Sequence, residues 1–223
     1  HSGSRNLGKQ IADYYYALAK HFREDFEKEL GGITPVEWQI DALPVDSSIG
    51  QSYIREMNYA LDFALYNRRK MANDVKDIFC QCLGQIDFED EINIHHNYAA
   101  KENHFGETVW VHRKGATNAS IGTIGIIPGS QGTNSYIVKG LGNEDSYESC
   151  SHGAGRLLGR NQAKKNLNLE EQQKMLDDQG ILHSIRGIKD LDVAPGAYKD
   201  IDCVLEQEKD LVSIITKLSP LAV

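Results

Sequence analysis

The segment Ser149-Cys150-Ser151-His152-Gly153-Ala154-Gly155-Arg156-Leu157-Leu158-Gly159-Arg160 gathers the residue types that handle phosphate. Its three glycines let backbone approach a ligand closely. The apolar pair Leu157-Leu158, followed by Ala163 and Leu167, predicts a helix that begins near His152 and runs to about Leu167. A helix start offers unpaired N–H groups and partial positive charge to an anion. On such a helix Arg156 and Arg160 share one face as a pair of planar forks, with Lys164 a turn further along. His152 at the mouth of this site has the chemistry of a nucleophile, a metal ligand or an acid/base, and the local sequence does not choose among them. A polar helix cap is the plainer alternative.

Two other histidines sit among neighbours that set them apart, His1 in HSGSR and His96 in HHNY. Imidazoles from separate segments can converge on zinc, manganese or iron. Asn97 adds an amide for a phosphate or a metal-bound water. Of two adjacent histidines on a strand one must point away from the other, so His95 and His96 face opposite sides. His21 and His183 lie among ordinary helix and loop residues and read as structural. Pro128-Gly-Ser130-Gln-Gly-Thr-Asn-Ser135 is a turn rich in hydroxyls, amides and glycines, suited to an anion or a nucleobase edge, with an ordinary hairpin turn as the alternative. Arg113-Lys114-Gly115 ends the preceding strand and brings cations to the same pocket.

These residues need a scaffold. Ile11, Tyr14, Tyr15, Leu18 and Phe22 recur at helical spacing and predict a helix of about 20 residues ending at Gly31-Gly32, its tyrosines packing in the core. Ser47 or Ser48 caps a second, longer helix that Gly84 stops. From Ile92 the pattern changes. Glu107–His112 alternates, Ser120–Ile127 is β-rich and Ser135–Val138 is a short apolar run, giving three strands punctuated by glycine. Helical patterns return over 153–167, 169–178 and 200–218. The class is α+β, a central β region of several strands flanked by long helices, in a single domain spanning 1–223.

A net charge of −8 excludes a protein that coats nucleic acid by bulk electrostatics but leaves room for a local basic groove from Arg113, Lys114, Arg156, Arg160, Lys164 and Lys165. Acidic runs such as Glu24–Glu29 and Glu170–Asp178 read as solvated helix faces. The four cysteines make no CxxC pair and are too sparse for a disulfide scaffold, so a reducing cytoplasm fits best. No apolar run approaches a membrane span.

Taken in order, HSGSR, HHNYxxKExHFGE, RKGA, IIPGSxGTxSYIVKGLGN, SCSHGAGR and PGAYKDID resemble the RtcB family of RNA ligases from His1 nearly to the last residue. The resemblance implies a manganese-dependent, GTP-consuming ligase. It would join an RNA 3′-phosphate or 2′,3′-cyclic phosphate to a 5′-hydroxyl, as in tRNA splicing and RNA repair. His152 matches the histidine that takes GMP from GTP. His1 and His96 match metal ligands of a centre that holds two manganese ions in the complete protein. Arg5, Arg156 and Arg160 would hold phosphates of GTP or RNA. Ser130 and Ser135 match the guanine-nucleotide loop, Tyr198 lines that pocket, Gly153, Ala154 and Gly155 approach the nucleotide through backbone, and Asn97 and Lys114 complete the cleft. RNA and GTP are the implied partners, with a protein activator left open and no membrane.

The family's remaining metal ligands, a cysteine with a nearby aspartate and a histidine after an asparagine, lie upstream of HSGSR. A lysine-glycine pair closes the family pattern beyond the point matching Val223. The chain is therefore expected to be the C-terminal part of a longer protein, truncated at the N-terminus and lacking the last residues. That makes a non-catalytic RNA- or nucleotide-binding fragment with an incomplete metal site the alternative to the ligase. A metallohydrolase built on His1 and His96 lacks a general base.

Overall fold

A computed structural model of the chain describes residues 2–22 and 41–223. It comprises two compact units, His1–Asn93 and Ile94–Val223, whose boundary falls where the sequence pattern changes. The first is helical. Helix α1 (Leu7–His21) and helix α2 (Ser48–Leu83) pack with Tyr15 and Tyr53 rings 5.1 Å apart and with Ala19, Ala60 and Ala64 buried. Small residues on both helices allow that approach. Ser47 caps α2 by accepting from the Gly50 N–H at 3.0 Å, and Gly84, at φ +86°, ends it. A side chain at Gly50 would lie 2.1 Å from the Pro44 carbonyl oxygen, so only glycine lets the preceding loop cross the first turn. The expected helix end at Gly31-Gly32 lies outside the described residues.

The second unit is built from small antiparallel sheets. Strand β1 (Asn97–His104) pairs with β2 (Glu107–Lys114) in a hairpin whose register runs from His104 opposite Glu107 to Asn97 opposite Lys114. Its turn residues Phe105 and Gly106 both have positive φ, 53° and 80°, the twist a two-residue hairpin requires. Strand β3 (Ala116–Asn118) pairs with β6 (Ser149–Ser151). Strands β4 (Ile124–Ile127), β5 (Ser135–Gly140) and β7 (Val212–Leu218) form a three-stranded sheet with β5 in the middle. Helices α3 (Arg160–Asn166), α4 (Leu169–Asp177) and α5 (Ile201–Gln207) are short. One core joins Ile127, Tyr136 and Val138 of the sheet to Cys150, Ala154, Ile201 and Leu205, and a second gathers Leu176, Ile181, Ile185, Leu191 and Ala194.

Mixed helix and antiparallel sheet is an α+β arrangement, yet four expectations change. Of the α1 tyrosines expected in the core only Tyr15 is buried, while Tyr14 and Tyr16 face outward. The second unit has seven strands among its described residues, where three were expected. The helix expected over 153–167 begins only at Arg160. Gly155 takes φ +72°, and the Leu157 and Leu158 N–H groups donate to the Ala197 carbonyl instead of to a preceding turn. The helix expected over 200–218 stops at Gln207, and Val212-Ser-Ile-Ile-Thr-Lys-Leu218 becomes β7. Its β-branched residues suit a strand, and the central strand β5 pairs with it from Ser135 opposite Leu218 to Gly140 opposite Val212, with one register shift between Ile137 and Val138. Long helices therefore do not follow the β region.

Candidate active site

His152 follows the end of β6 between two core anchors, Cys150 and Ala154, which are 5% and 3% exposed. With both neighbours buried, the chain between them has little freedom. The Ala154 N–H donates to the Pro128 carbonyl at 3.0 Å, and a side chain at Gly153 would lie 3.1 Å from that same oxygen, so this backbone lies directly against the Pro128–Ser135 turn. His152 Nδ1 is 2.6 Å from the Gly115 carbonyl oxygen. A carbonyl only accepts, so Nδ1 carries the hydrogen, and in the neutral ring the lone pair resides on Nε2. Gly115 sits at φ +70°, and a Cβ there would be 3.2 Å from His152 Cε1, so its glycine identity leaves room for the ring.

The same glycine gathers the other half of the site. Its N–H donates to the His96 carbonyl at 2.8 Å and also reaches Asn97 Oδ1 at 3.3 Å. The His96 and His152 rings stack with centroids 5.0 Å apart and 25° between planes. His95 turns instead to Tyr98, with centroids 6.1 Å apart, as alternation along an extended chain requires. Lys114, exposed, lies opposite Asn97 in the β1–β2 register. His96, Asn97, Lys114 and His152 thus come together around Gly115.

Behind this face lies a charged core. Arg113 is 1% exposed and grips Glu102 with two nitrogens, at 2.5 and 2.9 Å, while also donating to Ser149 Oγ, Tyr98 Oη and the Tyr147 carbonyl. His104 bonds the same carboxylate at 2.9 Å. The Arg113 hydrogen bonds hold the Glu102 carboxyl below its ordinary range, with His104 adding to the effect. Burial works against the Arg113 charge, but Glu102 and Tyr98 outweigh it and leave the guanidinium above its usual value. Arg113 is therefore a structural cation, and the expectation that it serves a basic groove does not hold. At the end of β6, Glu208 accepts from the Ser151 N–H at 3.1 and 3.2 Å and from Ser151 Oγ at 3.0 Å. Burial pushes the Glu208 carboxyl up, against the pull of those bonds.

The turn expected to bind a nucleotide does join two strands, β4 and β5. Ser130 is tied to Thr133, whose Oγ1 accepts the Ser130 N–H at 2.6 Å and lies 3.1 Å from its hydroxyl; Ser135 opens β5 opposite Leu218. Arg156 and Arg160 do not share a helix face. Arg156 stands in the loop, its guanidinium 4.9 Å from the Tyr198 ring centre, bonded to Tyr198 Oη at 3.0 Å, to the Leu158 carbonyl at 3.0 Å and to the Asp192 carbonyl. The Lys199 N–H donates to the Gly155 carbonyl at 3.0 Å, so SHGAGR and PGAYKD are bound edge to edge. Arg160 is the exposed first residue of α3, and Lys164 lies 3.7 Å from Asp192. Arg5 is exposed at φ 50° ahead of α1 in the first unit. His1 lies outside the described residues.

For a metal, the described residues contain no group of three or more histidine, cysteine, aspartate or glutamate side chains arranged to hold an ion. His96 is the one described member of the expected ligand pair, so the described donors do not by themselves fit a complete metal centre. Sequence reasoning missed three residues that matter to the site: Gly115, Glu208 and Gln131. Gln131 Oε1, in the turn after β4, is buried without a hydrogen-bond partner, an acceptor that a ligand N–H would satisfy. Gly115 lies in the RKGA motif, but its contacts to His96 and His152, like that of Glu208 to Ser151, join segments far apart in sequence. Gln131 lay within the turn already singled out by composition.

A family model described as tRNA-splicing ligase RtcB matches residues 1–223. The chain is 39% identical to the RNA-splicing ligase RtcB of Escherichia coli K12 over 98% of its length and 53% of the relative's. It is 33% identical to the RNA-splicing ligase RtcB of Mycobacterium tuberculosis H37Rv over 99% of its length and 54% of the relative's. Against the tRNA-splicing ligase RtcB of Thermococcus kodakarensis it is 30% identical over 100% of its length and 51% of the relative's. The chain spans about half the length of these curated relatives. The motifs that frame His96, the Pro128–Ser135 turn, His152 and Tyr198 are held together by one fold and lie within the matched region, and the chain belongs to the RtcB family of RNA-splicing ligases.

Proposed function

We propose that the chain is the catalytic part of a GTP- and manganese-dependent RNA ligase that joins 3′-phosphate or 2′,3′-cyclic phosphate ends to 5′-hydroxyl ends through a histidine–GMP intermediate. The observation that carries this reading is the His152 ring, held by Nδ1–H to the Gly115 carbonyl so that Nε2 keeps its lone pair. Nε2 attacks the α-phosphorus of GTP, a P–N bond forms, the P–O bond to the β-phosphate breaks, and pyrophosphate leaves. The Gly115 carbonyl faces the ring hydrogen as positive charge builds on the imidazole, which favours the adduct. An oxygen of the RNA 3′-phosphate then takes the GMP from Nε2, breaking the P–N bond. The 5′-hydroxyl oxygen finally attacks the RNA phosphorus, loses its proton and expels GMP. A cyclic end enters after water opens it to the 3′-phosphate.

In this scheme the turn bearing Ser130, together with Ser135, holds the guanine nucleotide, with Tyr198 at its wall. Backbone at Gly153, Ala154 and Gly155 lies along the nucleotide, and Asn97 and Lys114 meet its phosphates. Arg156, engaged with Tyr198, acts by fixing that wall, and Arg5 and Arg160 remain for RNA phosphate. Manganese, when bound, neutralises charge on phosphoryl oxygens. His96 and His1 would hold it, with further donors completing the set. Four free cysteines support a cytoplasmic setting, and no helix among the described residues is long and apolar enough to cross a membrane.

The test is joining of an RNA with a 3′-phosphate to one with a 5′-hydroxyl by the full-length protein. Product is expected only with both GTP and manganese, and ligation unchanged by omitting GTP would end the proposal. The second reading, a nucleotide- or RNA-binding piece, is favoured by the partial donor set around His96. Metal stoichiometry separates them: the ligase predicts about two manganese ions per full-length chain, the binding piece fewer.

A further inference from the structure

The residue that presents His152 for attack is fixed by a carboxylate that no catalytic reading requires. The β3–β6 ladder has three residue pairs, and its last, Ala116 opposite Ser151, directly adjoins the two groups whose bond sets the ring, Gly115 and His152. Whatever loosens that pair changes the Nδ1–carbonyl contact. In this two-stranded sheet the Ser151 N–H goes not to β3 but to Glu208, which also takes the Ser151 hydroxyl. From the β3 side only the Thr117 hydroxyl reaches the Ser151 carbonyl with its side chain, at 3.4 Å. Glu208 itself is held firmly: it caps the end of α5, and its own carbonyl accepts the N–H groups of Leu211 and Val212 at the entry to β7. The geometry points to Glu208 as a positioning residue for the guanylylation step, holding Ser151 at the end of the ladder so that the His152 ring keeps its Nδ1–H tautomer and presents Nε2 to the nucleotide.

The role needs an acceptor and no negative charge, which distinguishes it from a general base. Glu208→Gln retains an amide oxygen for the Ser151 N–H and an amide N–H for the Ser151 hydroxyl. Glu208→Ala retains neither, and Ser151→Ala removes only the hydroxyl arm. This inference rests on the reading of His152 as the nucleophile, so two measurements are paired in the full-length protein: the rate of protein–GMP formation from labelled GTP with manganese, and the ¹⁵N spectrum of the His152 ring, which reports the tautomer without any reaction. Glu208→Ala is expected to slow adduct formation on the order of ten-fold at saturating GTP, with little change in KM, and to mix the tautomers of His152. Glu208→Gln should restore both, and Ser151→Ala should fall between. Should Glu208→Ala fail to fold, the contrast among Ser151→Ala, Glu208→Gln and wild type decides by the same two readouts. Wild-type rate and an unmixed tautomer in Glu208→Ala would overturn the proposal, as would a Glu208→Gln variant as slow as the alanine one. A wild-type protein that holds the tautomer but forms no adduct at His152 would instead overturn the nucleophile reading, leaving the ring-holding role supported by the spectra.

Discussion

Replacing Gly115 with alanine tests how closely the chemistry depends on the His152 ring. Two costs can be separated. A Cβ at φ +70° is disfavoured by about 1–2 kcal/mol whatever surrounds it. In addition, that Cβ would stand 3.2 Å from His152 Cε1 and 3.4 Å from Nδ1, nearer than ordinary carbon contacts. The ring must retreat by roughly 0.4 Å to reach a normal separation. Retreat lengthens a hydrogen bond that now measures 2.6 Å and moves Nε2 off its line to phosphorus. Since a displacement of about 1 Å costs on the order of a hundred-fold in rate, this shift should cost roughly ten-fold. Gly106→Ala is the matched control: it has φ +80° in the same unit, with nothing within 4 Å of its added Cβ. Both variants should lose about 1–2 kcal/mol of stability in denaturant melts. Only Gly115→Ala should slow protein–GMP formation from labelled GTP. Equal rates in the two variants at equal stability would refute the claim that Gly115 seats the nucleophile.

The buried pair behind the site gives further predictions. Arg113→Met leaves the Glu102 carboxylate without its fork, and chemical unfolding should show a loss of about 3–5 kcal/mol, largely recovered when Glu102→Met is added. Because the Glu102 carboxyl is held below its ordinary value by Arg113 and His104, its contribution is complete above the usual glutamate range and is lost as pH falls through the depressed folded value; stability measured against pH should drop in that acid window, and Glu102→Gln should flatten the drop. Tyr198→Phe removes the hydroxyl that Arg156 holds at 3.0 Å, and should cost about 1 kcal/mol in the same melts and weaken GTP binding measured by calorimetry, while leaving the ring under the guanidinium.

Much of the fold is legible where one local signal decides. Ser47 and Gly84 mark both ends of α2, and the glycine- and serine-rich turn at 128–135 separates two apolar runs that pair as β4 and β5. Legibility ends where a distant partner wins. Val212–Leu218 is as compatible with a helix as with a strand until β5 supplies its backbone partners, and Leu157 and Leu158 give up helical bonds for the Ala197 carbonyl, about 40 residues on. The same division runs through the site. His96, Asn97, Lys114 and His152 stand out by type and motif, and the fold brings them together around Gly115. Arg113 carries the sequence marks of a phosphate-binding cation, yet burial beside Glu102 removes it from that duty, because an interior guanidinium persists only when its donors are taken up. Glu208 has no sequence mark at all; its place beside Ser151 follows from the packing of α5 against β6 through Cys150, Ile201 and Leu205.

In the ligase reading the His152 Nε2 atom becomes covalently bonded to GMP. Mass spectrometric mapping of the full-length protein after reaction with GTP and manganese tests it most directly, with the bonded nitrogen identified by ³¹P–¹⁵N coupling. A single GMP on Nε2 of His152, absent from His152→Ala, is the expected result. A GMP on another residue, or an adduct that persists in His152→Ala, would contradict it.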